Sequence, residues 1–168
     1  SYRSLSEDLS ISPNTVKRYI EILEALYLVF RVVPFSKKIQ RAIQREPKFY
    51  FFDWNLIENE GARLENFFAV CLLKHIYASN DILGKRLELR YLRTKDGREI
   101  DFCIVENDRL LRAYEVKTSE NVPSKNCLWY KEHFDFNITQ VVRFLRLESE
   151  EKNISVVPME KELENFFL

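Results

Sequence analysis

Between residues 87 and 117 the chain alternates apolar and charged positions with a period of two, in three consecutive runs. LELRYLRT, REIDFCIV and LLRAYEVK each predict a strand, because side chains two apart share a face of a sheet. Lys95, Asp96 and Gly97 put an Asp-Gly pair between the first two runs, the signal of a tight hairpin. The polar break Glu106-Asn107-Asp108-Arg109 separates the second from the third. Strict alternation sets Ile100, Phe102 and Ile104 on one face and Glu99, Asp101 and Cys103 on the other. On the third strand Glu115 and Lys117 share a face, with Val116 turned away between them.

Upstream the period is that of a helix. A short helix capped by Ser4 runs to Leu9, a turn follows, and Ser12-Pro13 is an N-cap with proline at the first helical position. From there Val16, Ile20, Leu23 and Tyr27 recur at helical spacing, with Lys17, Arg18, Glu21 and Glu24 outside. Strands are expected over residues 28–34 and 48–54, joined by a basic loop. Two helices and a two-stranded hairpin predict a winged helix-turn-helix over residues 1–57, its usual first helix missing or lying before Ser1. The abrupt start in a helix suggests a piece cut from a longer chain.

Residues 58–168 form the second predicted domain. A strong amphipathic helix over residues 62–77 carries Leu64, Phe68, Leu72 and Ile76 on one stripe. After the three strands, Ser124 caps a helix to about residue 134, residues 140–147 and 154–158 read as strands, and residues 160–167 as a short helix. The order predicts an α/β (α+β) layer on a mixed sheet.

Composition narrows the function classes. Aromatic residues are plentiful and glycine scarce, as in an ordered globular protein. The 26 basic and 26 acidic residues cancel, so any nucleic-acid surface must be local. Cys71, Cys103 and Cys127 lack metal-ligand spacing and fit buried thiols in a reducing cytoplasm. The longest apolar run, residues 67–73, is far too short to cross a bilayer. Gly61, Gly84 and Gly97 belong to no phosphate-binding loop, so this chain is not expected to bind ATP. His75 and His133 stand alone, and Trp54 and Trp129 read as packing residues.

Two candidate surfaces remain. In the N-terminal region Asn14, Thr15, Lys17 and Arg18 would enter a major groove of DNA, and Lys37, Lys38 and Arg41 would contact phosphates. Residues 31–48 hold six basic residues against one acid. The competing reading is a packing or protein-contact module, which Glu21 and Glu24 on the same helix favour. Self-association through the aromatic-rich elements is a further expectation. The second surface is on the strands, where Asp101, Glu115 and Lys117 can converge. Two carboxylates and an ammonium on a buried sheet are costly unless compensated, and a divalent metal would compensate them. Glu65 lies at the edge of the apolar helix stripe, either stabilised there by the helix dipole or held over the sheet to act on the metal.

Glu65, Asp101 and Glu115-Val116-Lys117 in αβββαβ order resemble the PD-(D/E)xK nuclease superfamily. Ile100 stands where the motif's name has proline. More closely, the chain resembles the C-terminal half of a bacterial and archaeal P-loop ATPase family whose C-terminal region is known as DUF4143. The winged helix, Gly61 to Asn66, Tyr91 to Phe102 and Tyr114 to Lys117 carry that likeness. The resemblance implies a restriction-endonuclease-like domain with Asp101 and Glu115 as ligands of Mg²⁺ or Mn²⁺, joined by the Val116 carbonyl. Lys117 would orient or activate water, and Glu65 would bind that water or a second metal. It also implies DNA as substrate and an upstream ATPase domain as partner.

Overall fold

The computed structural model describes residues 2–35, 46–151 and 153–166. Helices α1 (Tyr2–Leu9) and α2 (Pro13–Ala25) meet at a turn where Ser12 Oγ accepts from Thr15 N–H, the expected cap. Val16 and Ile20 are the buried residues of α2. Strands β1 (Val29–Pro34) and β2 (Lys48–Phe51) follow as an antiparallel pair. The second aromatic strand ends earlier than its pattern predicts. Asp53 accepts the Asn55 amide at 3.0 Å and turns the chain into a single 3₁₀ turn, Trp54–Leu56.

Helix α3 (Glu60–Leu83) is longer than the apolar stripe predicts. Asn59 caps its start, and Gly84, at φ 65, closes its end in the left-handed conformation that glycine adopts freely. Its last turn is held by a tertiary contact. The buried carboxamide of Asn66 exchanges two hydrogen bonds with the backbone of Phe51, and Asn80 does the same with Leu87. Each asparagine thus satisfies both backbone groups of a strand-end residue.

Strands β3 (Leu87–Arg93), β4 (Glu99–Glu106) and β5 (Arg109–Lys117) form the predicted antiparallel meander. The first link has Gly97 at φ 89; the second has Asn107 and Asp108 both at positive φ, as a type I′ turn requires. Helix α4 (Lys125–His133) leads into β6 (Ile138–Val142), followed by β7 (Ser149–Glu151), β8 (Ile154–Pro158) and α5 (Met159–Glu164). The β6 strand stops well short of residue 147: its last residue, Val142, pairs with Pro158, where β8 ends and the chain turns into α5 at Met159.

All eight strands join one mixed sheet in the order β2-β1-β3-β4-β5-β6-β8-β7. The hairpin expected to be a separate wing enters this sheet through the parallel β1–β3 pairing of Val33 with Arg90 and Pro34 with Tyr91. Helix α3 covers one face over Phe30, Val32, Tyr50, Tyr91, Phe102 and Tyr114. Helix α4 covers the other over Ile100, Cys103, Val105, Ala113 and Ile138.

Strict alternation on β4 fails at one residue. Ile100 packs on the α4 face with Cys103 and Val105, while Phe102 and Ile104 pack on the α3 face. The cause is a bulge: Arg90 pairs with Cys103 and Leu92 with Ile100, so β4 carries one residue more than β3 over that span.

Candidate active site

Asp101 is the residue at the bulge. In an unbroken ladder the Val116 amide would reach the Ile100 carbonyl; instead it donates to Asp101 Oδ2 at 2.9 Å. The carboxylate is thereby held at the seam between β4 and β5, with Oδ1 3.8 Å from Lys48 Nζ. Burial raises the Asp101 pKa well above the carboxylate range; the charges of Glu115 and Glu65 raise it further, and Lys48 and the Val116 amide only partly offset them.

Glu115 is 2% exposed and faces α4. Its Oε1 lies 2.9 Å from Lys117 Nζ and accepts from Ser124 Oγ at 3.3 Å, while among the described residues the buried Oε2 has no hydrogen-bond partner. Burial pushes its pKa up, against the pull of Lys117, Ser124 and the Asp101 backbone amide. Burial also opposes the charge of Lys117, but Glu115 and Asp101 outweigh it and its pKa stays raised. Lys117 is therefore an ammonium at neutral pH, suited to orienting and stabilising anionic oxygen rather than to taking a proton.

Glu65 comes from α3. Its Oε1 accepts from Tyr50 Oη at 2.7 Å and lies 3.4 Å from Lys48 Nζ. A cleft of about 270 Å³ opens alongside, lined by Glu65 and Lys117 together with Gly61, Thr118, Ser119 and Glu120; Asp101 and Glu115 do not line it.

The four predicted residues are thus brought within electrostatic reach of one another, and pattern reading missed three more. Lys48 Nζ lies 2.5 Å from Glu99 Oε1 as well as near Glu65 and Asp101. Burial lowers its pKa, but the three carboxylates outweigh that and raise it. Its signal was present: Lys48 shares a strand face with Tyr50, a core residue, so it points inward. Gln140, fully buried, takes the Ser124 amide at 2.7 Å and donates to the Glu120 and Val122 carbonyls, stapling the loop that follows Lys117. Glu99 is the third, paired with Lys48 and, at 3.5 Å, with Arg93.

Does this site suit a divalent ion? Among the described residues, no three His, Cys, Asp or Glu side chains are arranged to hold a metal together. Mg²⁺ needs fewer, since it keeps several waters and takes one or two carboxylates. The unpartnered buried Glu115 Oε2 and the undercompensated Asp101 are acceptors of the hard, anionic kind such an ion prefers. The donor set fits.

The expected nucleic-acid residues of α2 lie near its N-terminus. Asn14 and Arg18 are exposed, Lys17 sits 3.9 Å from Glu21, and the Thr15 hydroxyl is 2.8 Å from Ser12 Oγ. Lys37, Lys38 and Arg41 lie outside the described residues. Of the other basic residues in that stretch, Arg31 is bound to Glu24 through both guanidinium and carboxylate groups, and Lys48 is turned into the acidic cluster. Neither of these two is available to phosphate. His75 stacks on Phe166, and His133 stacks on Trp129, consistent with packing roles. All three cysteines are free, Cys103 and Cys127 buried and Cys71 half-buried. Among the described residues no helix is long and apolar enough to cross a membrane.

Residues 1–59 match a family described as a domain of unknown function (DUF8612), and residues 60–161 match another described as a domain of unknown function (DUF4143). The junction between them falls at Asn59, the cap of α3. No curated protein and no solved structure matches the chain. Since the second of these matches spans more than half of the 168 residues, the chain belongs to the DUF4143 family.

Proposed function

We propose that the chain is the C-terminal part of a P-loop ATPase family protein, in which a winged helix-turn-helix brings DNA to a PD-(D/E)xK-type domain that hydrolyses phosphodiesters. The observation that carries the reading is the buried Glu115 carboxylate, with one oxygen on Lys117 and the other without a hydrogen-bond partner among the described residues, beside an Asp101 whose pKa is raised by burial and then by the charges of Glu115 and Glu65. Asp101 and Glu115 would hold one Mg²⁺ or Mn²⁺. That ion, when bound, supplies Lewis acidity and an acidified water. Lys117 keeps its charge against the scissile phosphate, and Glu65, fixed by Tyr50 at the cleft, orients the incoming water. Asn14 and Arg18, exposed on α2, would touch DNA.

The test is cleavage of linear, supercoiled and branched DNA in Mg²⁺ by wild type and Asp101→Ala. Loss of at least 100-fold in the variant is the expected result; equal rates, or no cleavage on any substrate, count against it.

A second reading is supported by Lys48, whose ammonium pairs with Glu65 and Glu99 and offsets part of the charge of Asp101 without any metal. On that reading the fold is a catalytically silent module that docks nucleic acid or protein for the ATPase. Binding in a gel-shift assay that survives both EDTA and Glu115→Ala is its expected signature; strict metal dependence contradicts it.

A further inference from the structure

Two hollows adjoin the first turns of α3. One is the cleft of Glu65 and Lys117; the other is a cavity of about 390 Å³, within the size range of small-ligand pockets, and Leu64 lines both. The end of β6 ties them together. The Arg143 amide donates to the Lys117 carbonyl at 3.1 Å, so a residue of the cleft and a residue of the cavity are hydrogen-bonded neighbours. The apolar lining of the cavity comes from Leu64, Phe67 and Met159, together with Trp54, whose ring centroid lies 5.0 Å from that of Phe67. Its polar lining is balanced: Arg63 and Arg143 stand against Glu60 and Glu160.

A phosphate backbone gains nothing from such a lining, because two positive and two negative groups cancel. A neutral heteroaromatic ring does gain: its faces stack on aromatic and guanidinium groups, and its edges meet both donors and acceptors. In a duplex that ring is stacked and out of reach, so it must be unpaired to enter. We propose that the cavity receives an unpaired nucleobase of the strand whose phosphate lies in the cleft, which makes DNA with an unpaired nucleotide beside the cut the preferred substrate. The substrate assignment rests on the nuclease-type reading above; the binding of a base does not. Arg143 meets Glu60 through Nη1 at 3.0 Å in an exposed pair, so little is lost when it turns to a ligand. The net charge points the same way. Duplex affinity comes largely from neutralising phosphates, whereas stacking adds affinity to a chain whose 26 basic and 26 acidic residues cancel.

The test is equilibrium binding in Ca²⁺ in place of Mg²⁺, read by the fluorescence of Trp54 in a Trp129→Phe protein, where it is the single tryptophan. The probes are a fully paired DNA hairpin, the same hairpin with a bulged adenine, the same with an abasic bulge, and free dAMP. The adenine bulge is expected to bind about tenfold tighter than the paired hairpin and to quench Trp54, and the abasic bulge to lose both effects. Arg143→Ala, at an exposed position, is expected to weaken binding of the adenine bulge by about threefold and to leave the paired hairpin unchanged. Equal affinity for the three hairpins, binding without quenching, or no binding of any hairpin overturns the proposal. Quenching by dAMP as strong as by the adenine bulge at equal concentration overturns the assignment to a strand. Tight, quenching binding of the adenine bulge with no cleavage in Mg²⁺ upholds the base-binding cavity and removes the nuclease-type reading. Cleavage in Mg²⁺ that shows no preference for the adenine bulge upholds that reading and overturns the proposal.

Discussion

Asp101 is held by a backbone amide and crowded by other acids, and its raised pKa has a consequence for stability. An unfolded aspartate ionises near pH 4, whereas folded Asp101 keeps its proton to higher pH. The folded state then binds more protons, so metal-free stability falls as pH rises from about 4 through the raised folded value. Asp101→Asn can still accept the Val116 amide and removes the penalty. In EDTA its melting temperature should exceed that of wild type by several degrees at pH 8, with the gain shrinking toward pH 4. A gain that is constant with pH contradicts the assignment. Glu162 is a different kind of buried acid, 6% exposed but satisfied by Arg112 and the Tyr114 hydroxyl at 3.0 Å each. Glu162→Ala strands that hydroxyl and should cost about 1–3 kcal/mol in urea unfolding.

At the scale of elements, the strands that build the site are anchored by amide side chains. Asn66→Ala leaves the Phe51 amide and carbonyl without partners and should lower stability by about 2 kcal/mol. Hydrogen exchange at Phe51 should accelerate in that variant, because its protection depends on the carboxamide. Gln140 plays the corresponding part for the loop after Lys117, joining three backbone groups of residues 120–124 to the central strand β6. Gln140→Met keeps the volume and loses all three bonds. It should raise exchange at Ser124 while leaving β6 protected. Unchanged exchange at Ser124 means the loop holds its shape by other contacts.

For the whole molecule, the decisive feature is one sheet running through both family regions. Phe30, Val32 and Tyr50 pack into the same core as Phe68, Phe102 and Tyr114. Sharing a core and a sheet couples the two regions energetically, so heating should give a single transition with equal calorimetric and van't Hoff enthalpies. Two resolved transitions in scanning calorimetry, one assignable to residues 1–59, contradict that coupling.

Local pattern alone determined a good deal. The three-strand meander, the Ser12-Pro13 and Ser124 caps, the inward stripe of α3 and the shared face of Glu115 and Lys117 all follow from periods of 2 and 3.6 and from the chemistry of caps and turns. These depend on neighbours within a few residues, so the sequence carries them. What tertiary structure decided depends on partners far along the chain. The bulge that seats Asp101 exists only against β3 and β5, and the last turns of α3 owe their order to Leu87. The hairpin became part of the main sheet only through Tyr91 and Arg90. Lys48, which by composition counts toward a basic patch, meets three acids 17 to 53 positions away. A charge's sign is written in the sequence; what it faces is set only when the chain closes on itself.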